Sequence, residues 1–159
     1  MGTSDNRKTR KLYADMLSSN FNENDWMVTV RLRGIDDKEK FISDHLNKLL
    51  RKTYPNRKFR SENECALRTF AVIGWTNKEG LSHSAAHILI QDFDYRSQSV
   101  GSFQELLYKV FRKNRTLPGD VDVRRIFDVA GASNYVLFEQ GDDVTILNTA
   151  MKLQFEETL

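Results

Sequence analysis

His83 and His87 stand four residues apart where a polar turn gives way to the apolar run Ile88-Leu-Ile90, and Tyr135 lies downstream in Ser133-Asn-Tyr-Val136. A histidine entering a strand from such a turn can serve as a metal ligand, and a tyrosine hydroxyl brought beside it can serve as a nucleophile. On a helix, a spacing of four would put both histidines on one face as a zinc pair. The run Ile88 to Ile90 reads as strand instead, and the remaining histidine, His45, falls in an amphipathic segment far from both, so structural zinc is not indicated. Each residue also has a purely structural reading. His87 can be a satisfied histidine on a sheet, and Tyr135, among Val129, Ala132, Val136 and Leu137, can pack its ring against the sheet with its hydroxyl at the rim. Asp92 and Asp94 can lend oxygen to a metal or cap a turn, and Cys65 reads as a small buried apolar residue.

The elements that must position these groups are legible from their periodicity. Leu12, Tyr13, Met16 and Leu17 recur at helical spacing and predict a helix over 8–19. Trp26, Val28, Val30 and Leu32 alternate with Met27, Thr29, Arg31 and Arg33, which predicts a half-buried strand. After Asp36, Phe41, Ile42, Leu46, Leu49 and Leu50 share a helix face, and Pro55 ends it. A second strand, near Leu67 to Trp75, has the apolar density of a sheet interior. Asn77-Lys-Glu-Gly80 supplies turn chemistry, and a third strand follows at Ala86 to Asp92. Ser102 and Glu105 form a capping box before the apolar stripe Phe103, Leu106, Leu107, Val110 and Phe111. Beyond Pro118-Gly119 come an alternating strand around Val121 and Val123, a helix over 129–139 capped by Asp128, and an apolar piece, Val144 to Leu147, suited to an edge strand.

Strand, helix, strand, strand, helix, strand is the order of a ferredoxin-like α+β domain, the βαββαβ core also found in RNA-recognition folds. Right-handed crossovers put the first and third strands side by side at the centre of an antiparallel sheet. Both helices are expected on the valine-bearing face, which leaves the other face open and carrying Thr29, Arg31 and Arg33 with His87, Leu89 and Gln91. An open face with arginines suits single-stranded nucleic acid, with Arg31, Arg33 and Gln91 as the contacts. The aromatic platforms of an RNA-recognition sheet are missing from the third strand, where Phe93 stands only at the end.

Composition bounds the classes that remain. At 159 residues, 40% hydrophobic and 29% charged, the chain supports one globular domain spanning 1–159. No run approaches the roughly 18 to 20 apolar residues of a membrane span, and the first residues lack the apolar segment of a secretory signal. The single cysteine excludes an intramolecular disulfide and makes a cytoplasmic location the expectation. Net charge is only +2, with Arg and Lys crowding 7–11 and 51–60, an asymmetry that permits a nucleic-acid face without demanding one. No Gly-rich phosphate loop is present, so an ATPase module is not expected.

The hairpin ending in Ala86-His-Ile-Leu-Ile90 resembles the metal-binding strand of HUH endonucleases, the rolling-circle replication initiators of plasmids and phages. The run from Gly119 through Asp-Val-Asp-Val-Arg-Arg-Ile-Phe-Asp-Val-Ala-Gly-Ala-Ser-Asn to Tyr135-Val is similar to the segment leading into their nucleophilic tyrosine helix, and the resemblance covers roughly residues 26–139. It implies a divalent metal, Mg²⁺ or Mn²⁺, held by a His-hydrophobic-His strand, and a tyrosine that attacks a single-stranded or hairpin DNA to leave a 5′-phosphotyrosine. His87 matches the second histidine and Tyr135 the nucleophile. A phenol with a free pKa near 10 is a weak nucleophile at neutral pH, so the chemistry calls for stabilisation of the developing charge. Ala85 stands where the first histidine would be, His83 can substitute only if the chain bulges at Ser84 to Ala86, and Phe138 replaces a lysine that often follows the tyrosine. The implied partners are single-stranded or hairpin DNA and host replication proteins. The alternatives are a non-catalytic single-stranded DNA- or RNA-binding module on the same fold and a protein-interaction domain using its sheet edge.

Overall fold

A computed structural model of the chain describes residues 3–32, 35–63, 67–78, 81–92, 103–112, 121–138 and 144–147. The fold is α+β. In chain order the elements are α1 (Thr3–Asn20), β1 (Trp26–Arg31), α2 (Lys38–Thr53), α3 (Arg57–Asn63), β2 (Thr69–Lys78), β3 (Leu81–Ile90), α4 (Phe103–Phe111), β4 (Val121–Arg125), α5 (Val129–Phe138) and β5 (Val144–Leu147). The strands form one five-stranded sheet in the order β4-β1-β3-β2-β5, every neighbouring pair antiparallel.

One face of the sheet is built as the alternation predicts. Trp26, Val28 and Val30 of β1, Ala86, Ile88 and Ile90 of β3 and Val121 and Val123 of β4 point to a common core with Ile42, Leu46 and Leu49 of α2 and Phe103, Leu107, Val110 and Phe111 of α4. Asp37, the residue after Asp36, caps α2: its carboxylate accepts from the Lys40 amide at 3.1 Å, a contact typically worth about 1 kcal/mol. Ser102 lies outside the described residues, so the expected capping box does too.

The opposite face is covered, which corrects the expectation of an open sheet. Phe70 and Val72 of β2 and Leu89 of β3 form a second core with Leu17 and Phe21 from the α1 end and Val136 and Leu137 of α5. The physical reason lies in the strands themselves. Phe70-Ala-Val-Ile73 and Ile88-Leu-Ile90 are apolar at both parities, the pattern of strands buried on two sides, and each buried Leu or Phe contributes roughly 1.5–3 kcal/mol relative to exposure. Leu12, expected in the buried stripe of α1, faces solvent instead.

The hairpin is also longer than expected. β2 runs on through Lys78 and β3 begins at Leu81, pairing residue for residue along ten positions. Beyond Pro55 the short polar helix α3 was not anticipated, since Arg57-Lys-Phe-Arg-Ser-Glu-Asn63 lacks an apolar stripe. Among the described residues no helix is long and apolar enough to cross a membrane.

Candidate functional site

The second face carries the chemistry-bearing residues in cross-strand rows. Met27, Thr29 and Arg31 alternate with the β1 valines, so they belong to the face covered by α1 and α5. The register then puts Asp122 of β4, Thr29 of β1, His87 of β3 and Val72 of β2 in one row, and Arg31, Ala85 and Gly74 in the next. A third row, Arg124, Met27, Leu89 and Phe70, runs under α1 and α5.

His87 is only 3% exposed. Its Nδ1 lies 3.2 Å from Thr29 Oγ1, a hydrogen bond that orients the imidazole across the β1–β3 pair. Tyr135 of α5 meets the same imidazole nearly perpendicularly, with ring centroids 5.1 Å apart and planes at 85°, the edge-to-face geometry favoured by ring quadrupoles. Tyr135 itself remains 39% exposed, so its ring bridges the enclosed imidazole and the solvent at the rim. The two residues singled out by type, 48 positions apart in sequence, are neighbours in the fold.

The remaining candidates separate. Arg31 is exposed at the end of β1, and no hydrogen bond or ion pair joins its guanidinium among the described residues. Arg33 lies outside them. Gln91 is half-buried and engaged: its side-chain oxygen accepts from the Arg68 amide at 3.1 Å while its own amide donates to the Arg68 carbonyl at 2.9 Å. These bonds close the end of the β2–β3 pair. Asp92 accepts from the Trp26 indole at 2.7 Å and lies 3.4 Å from Arg125, as suits a structural aspartate, while Asp94 and Cys65 fall outside the described residues. Asp122, not singled out from sequence, sits in the His87 row and pairs with Arg124 at 2.7 Å. The alternation Val121-Asp-Val-Arg124 is the signal that could have found it, once β4 is known to pair with β1.

His83 is a strand residue opposite Thr76, and its side chain lies outside the described ones. One-to-one pairing from Leu81 to Ile90 leaves no bulge at Ser84 to Ala86. At about 3.3 Å per residue the Cα atoms of His83 and His87 are some 13 Å apart, whereas two ligands of one ion place nitrogens roughly 2 Å from it. Ala85, on the His87 face, offers only a methyl. Among the described residues no group of three or more His, Cys, Asp or Glu is gathered to hold a metal. The donor set does not fit a divalent ion shared by these two histidines. Comparison with protein-family models, curated proteins and solved structures finds no match to this chain.

Proposed function

We propose that the chain is a DNA-strand-processing protein of the replication-initiator kind, ferredoxin-like in fold, that binds single-stranded or hairpin DNA and nicks it through Tyr135. The observation that carries this reading is the apposition of Tyr135 and His87, 5.1 Å between ring centroids, on the rim of a sheet where a tyrosine hydroxyl can meet a phosphate. In the reaction the Tyr135 Oη–phosphorus bond forms and the phosphorus–O3′ bond breaks. The phenolic proton is lost to solvent, the departing 3′ oxygen takes one up, and a 5′-phosphotyrosine remains. His87, locked by Thr29, holds the tyrosine ring in place, and holding a nucleophile in attack geometry is itself a large part of such catalysis.

The test is a covalent adduct. A random-sequence pool of single-stranded and hairpin DNA, labelled at the 3′ end so that the tyrosine-linked fragment carries the label, is incubated with the protein and Mn²⁺ and resolved under denaturing conditions. A labelled protein band that disappears in Tyr135→Phe is expected, and its absence from the unaltered protein would end the nicking claim. The burial of His87 favours one second reading, a non-catalytic single-strand-binding module using Arg31 at the rim. That reading predicts salt-sensitive binding that survives Tyr135→Phe and weakens in Arg31→Ala.

A further inference from the structure

Arg31 and Ala85 are direct cross-strand partners on the face that holds His87 and Tyr135. Ala85 is two residues from His87, so a side chain there would stand beside the imidazole on the same face; being alanine, it leaves that space to its neighbours. Cβ atoms of directly opposed residues are about 4.5–5.5 Å apart, and a guanidinium on its three-carbon stem easily reaches across that gap. Three other arginines of the region are already engaged. Arg68 donates to the Asn20 carbonyl at 2.9 Å, Arg124 pairs with Asp122, and Arg125 stacks on Trp26 at 3.8 Å and faces Asp92. Arg31 has no such partner among the described residues, so its charge is available to a ligand.

From this we infer that Arg31 is the electrophile of the site: its guanidinium, within reach across Ala85, binds the non-bridging oxygens of the scissile phosphate and takes the charge that builds there, so that strand transfer to Tyr135 needs no divalent metal. The inference rests on the reading of Tyr135 as nucleophile. A planar guanidinium matches two phosphate oxygens at once and carries its charge at every accessible pH, which suits it to a pentacoordinate transition state in which those oxygens gain negative charge. Bond changes are those of the simple transfer. The Tyr135 oxygen joins phosphorus, the 3′ oxygen leaves, and protons exchange with solvent, with no oxidant or reductant involved. The pairing of an alanine at the ligand position with an unengaged arginine opposite it gives the site a positive charge from the chain itself.

The experiment is single-turnover adduct formation by the full chain on the 3′-labelled DNA pool, at saturating DNA so that weakened binding does not enter, in Mn²⁺ and in excess EDTA. Equal rates in the two conditions are expected, with Arg31→Ala slowing both on the order of 100-fold, as loss of a charge-stabilising donor does, and Arg31→Lys recovering part of the loss. Arg31 is exposed, so thermal melting of both variants should match the unaltered protein. An adduct that forms only with Mn²⁺, or that is unaffected by Arg31→Ala, overturns this inference while the nicking function stands. No adduct in either condition overturns both.

Discussion

At the scale of single residues, the site owes its geometry to enclosure on one side and exposure on the other. His87 was legible because it enters an apolar strand from a polar turn, Tyr135 because the expected element order brings its helix to that sheet, and the alternation of β1 was enough to put Thr29 and Arg31 on one face. What could not be read was that His87 is enclosed, since its cover comes from Tyr135 on a helix distant in sequence. The same helix carries a cost. Ser133 is 2% exposed, and among the described residues its Oγ has no hydrogen-bond partner, so burial removes it from water without return. An unsatisfied buried hydroxyl costs roughly 1–3 kcal/mol, and deleting it removes that penalty with little change of volume. Ser133→Ala is therefore expected to raise stability by about 1 kcal/mol, read as a gain of roughly 2–4 °C in thermal melting. A loss instead would mean that the hydroxyl has a partner in the native state.

At the scale of elements, the ends of strands are held by few groups. Asp25, buried in the loop before β1, accepts from the Asn22 amide at 2.9 Å through Oδ2 and from the Asp92 amide at 2.8 Å through Oδ1, while its carbonyl accepts from the Ile126 amide at 2.9 Å. One residue thus ties the entrance of β1 to the exits of β3 and β4. Asp25→Ala strands two amides and is expected to cost about 3 kcal/mol in urea unfolding, whereas Asp25→Asn retains one acceptor oxygen and should cost less. Equal costs would show that charge, not amide pairing, is what the site supplies. Such ties explain which boundaries a sequence reveals. Val144 to Leu147 was readable because three apolar residues, Val144, Ile146 and Leu147, stand between polar flanks, but the start of β3 was not, because Ser82 to Ala85 are mostly polar, with no large apolar side chain, and become strand only by pairing with β2. α3 carries no apolar stripe and so gave no signal.

At the scale of the whole molecule, the decisive feature is that the sheet is covered on both faces. The helix stripes of α2 and α4 were readable from their spacing, and so the first layer was. The second layer was not. α5 is apolar on most of its circumference, so periodicity assigns it no face, and α1 buries Leu17, with Phe21 just past its end, while leaving Leu12 in water. Only the two-sided apolar runs of β2 and β3 hinted that a cover was required. With that cover in place the proposed nucleic acid could not lie across the sheet as on an open recognition surface; under the proposed function it would approach at the rim where Arg31 and Tyr135 are exposed. The cover is also a condition of folding. Leu17 and Phe21 together bring about 3–6 kcal/mol of burial, before counting the surfaces of Phe70 and Leu89 that they shield, against a typical domain stability of about 5–15 kcal/mol. A chain beginning at Asn22 is therefore expected to lose its cooperative thermal transition and to bind a hydrophobic dye, and restoring residues 1–21 as a separate peptide should not fully rescue it, because α1 then docks at the entropic cost of association. A shortened chain that melts cooperatively near the original temperature would show that the second layer is an accessory to the sheet, and the face holding His87 would then be open to ligands after all.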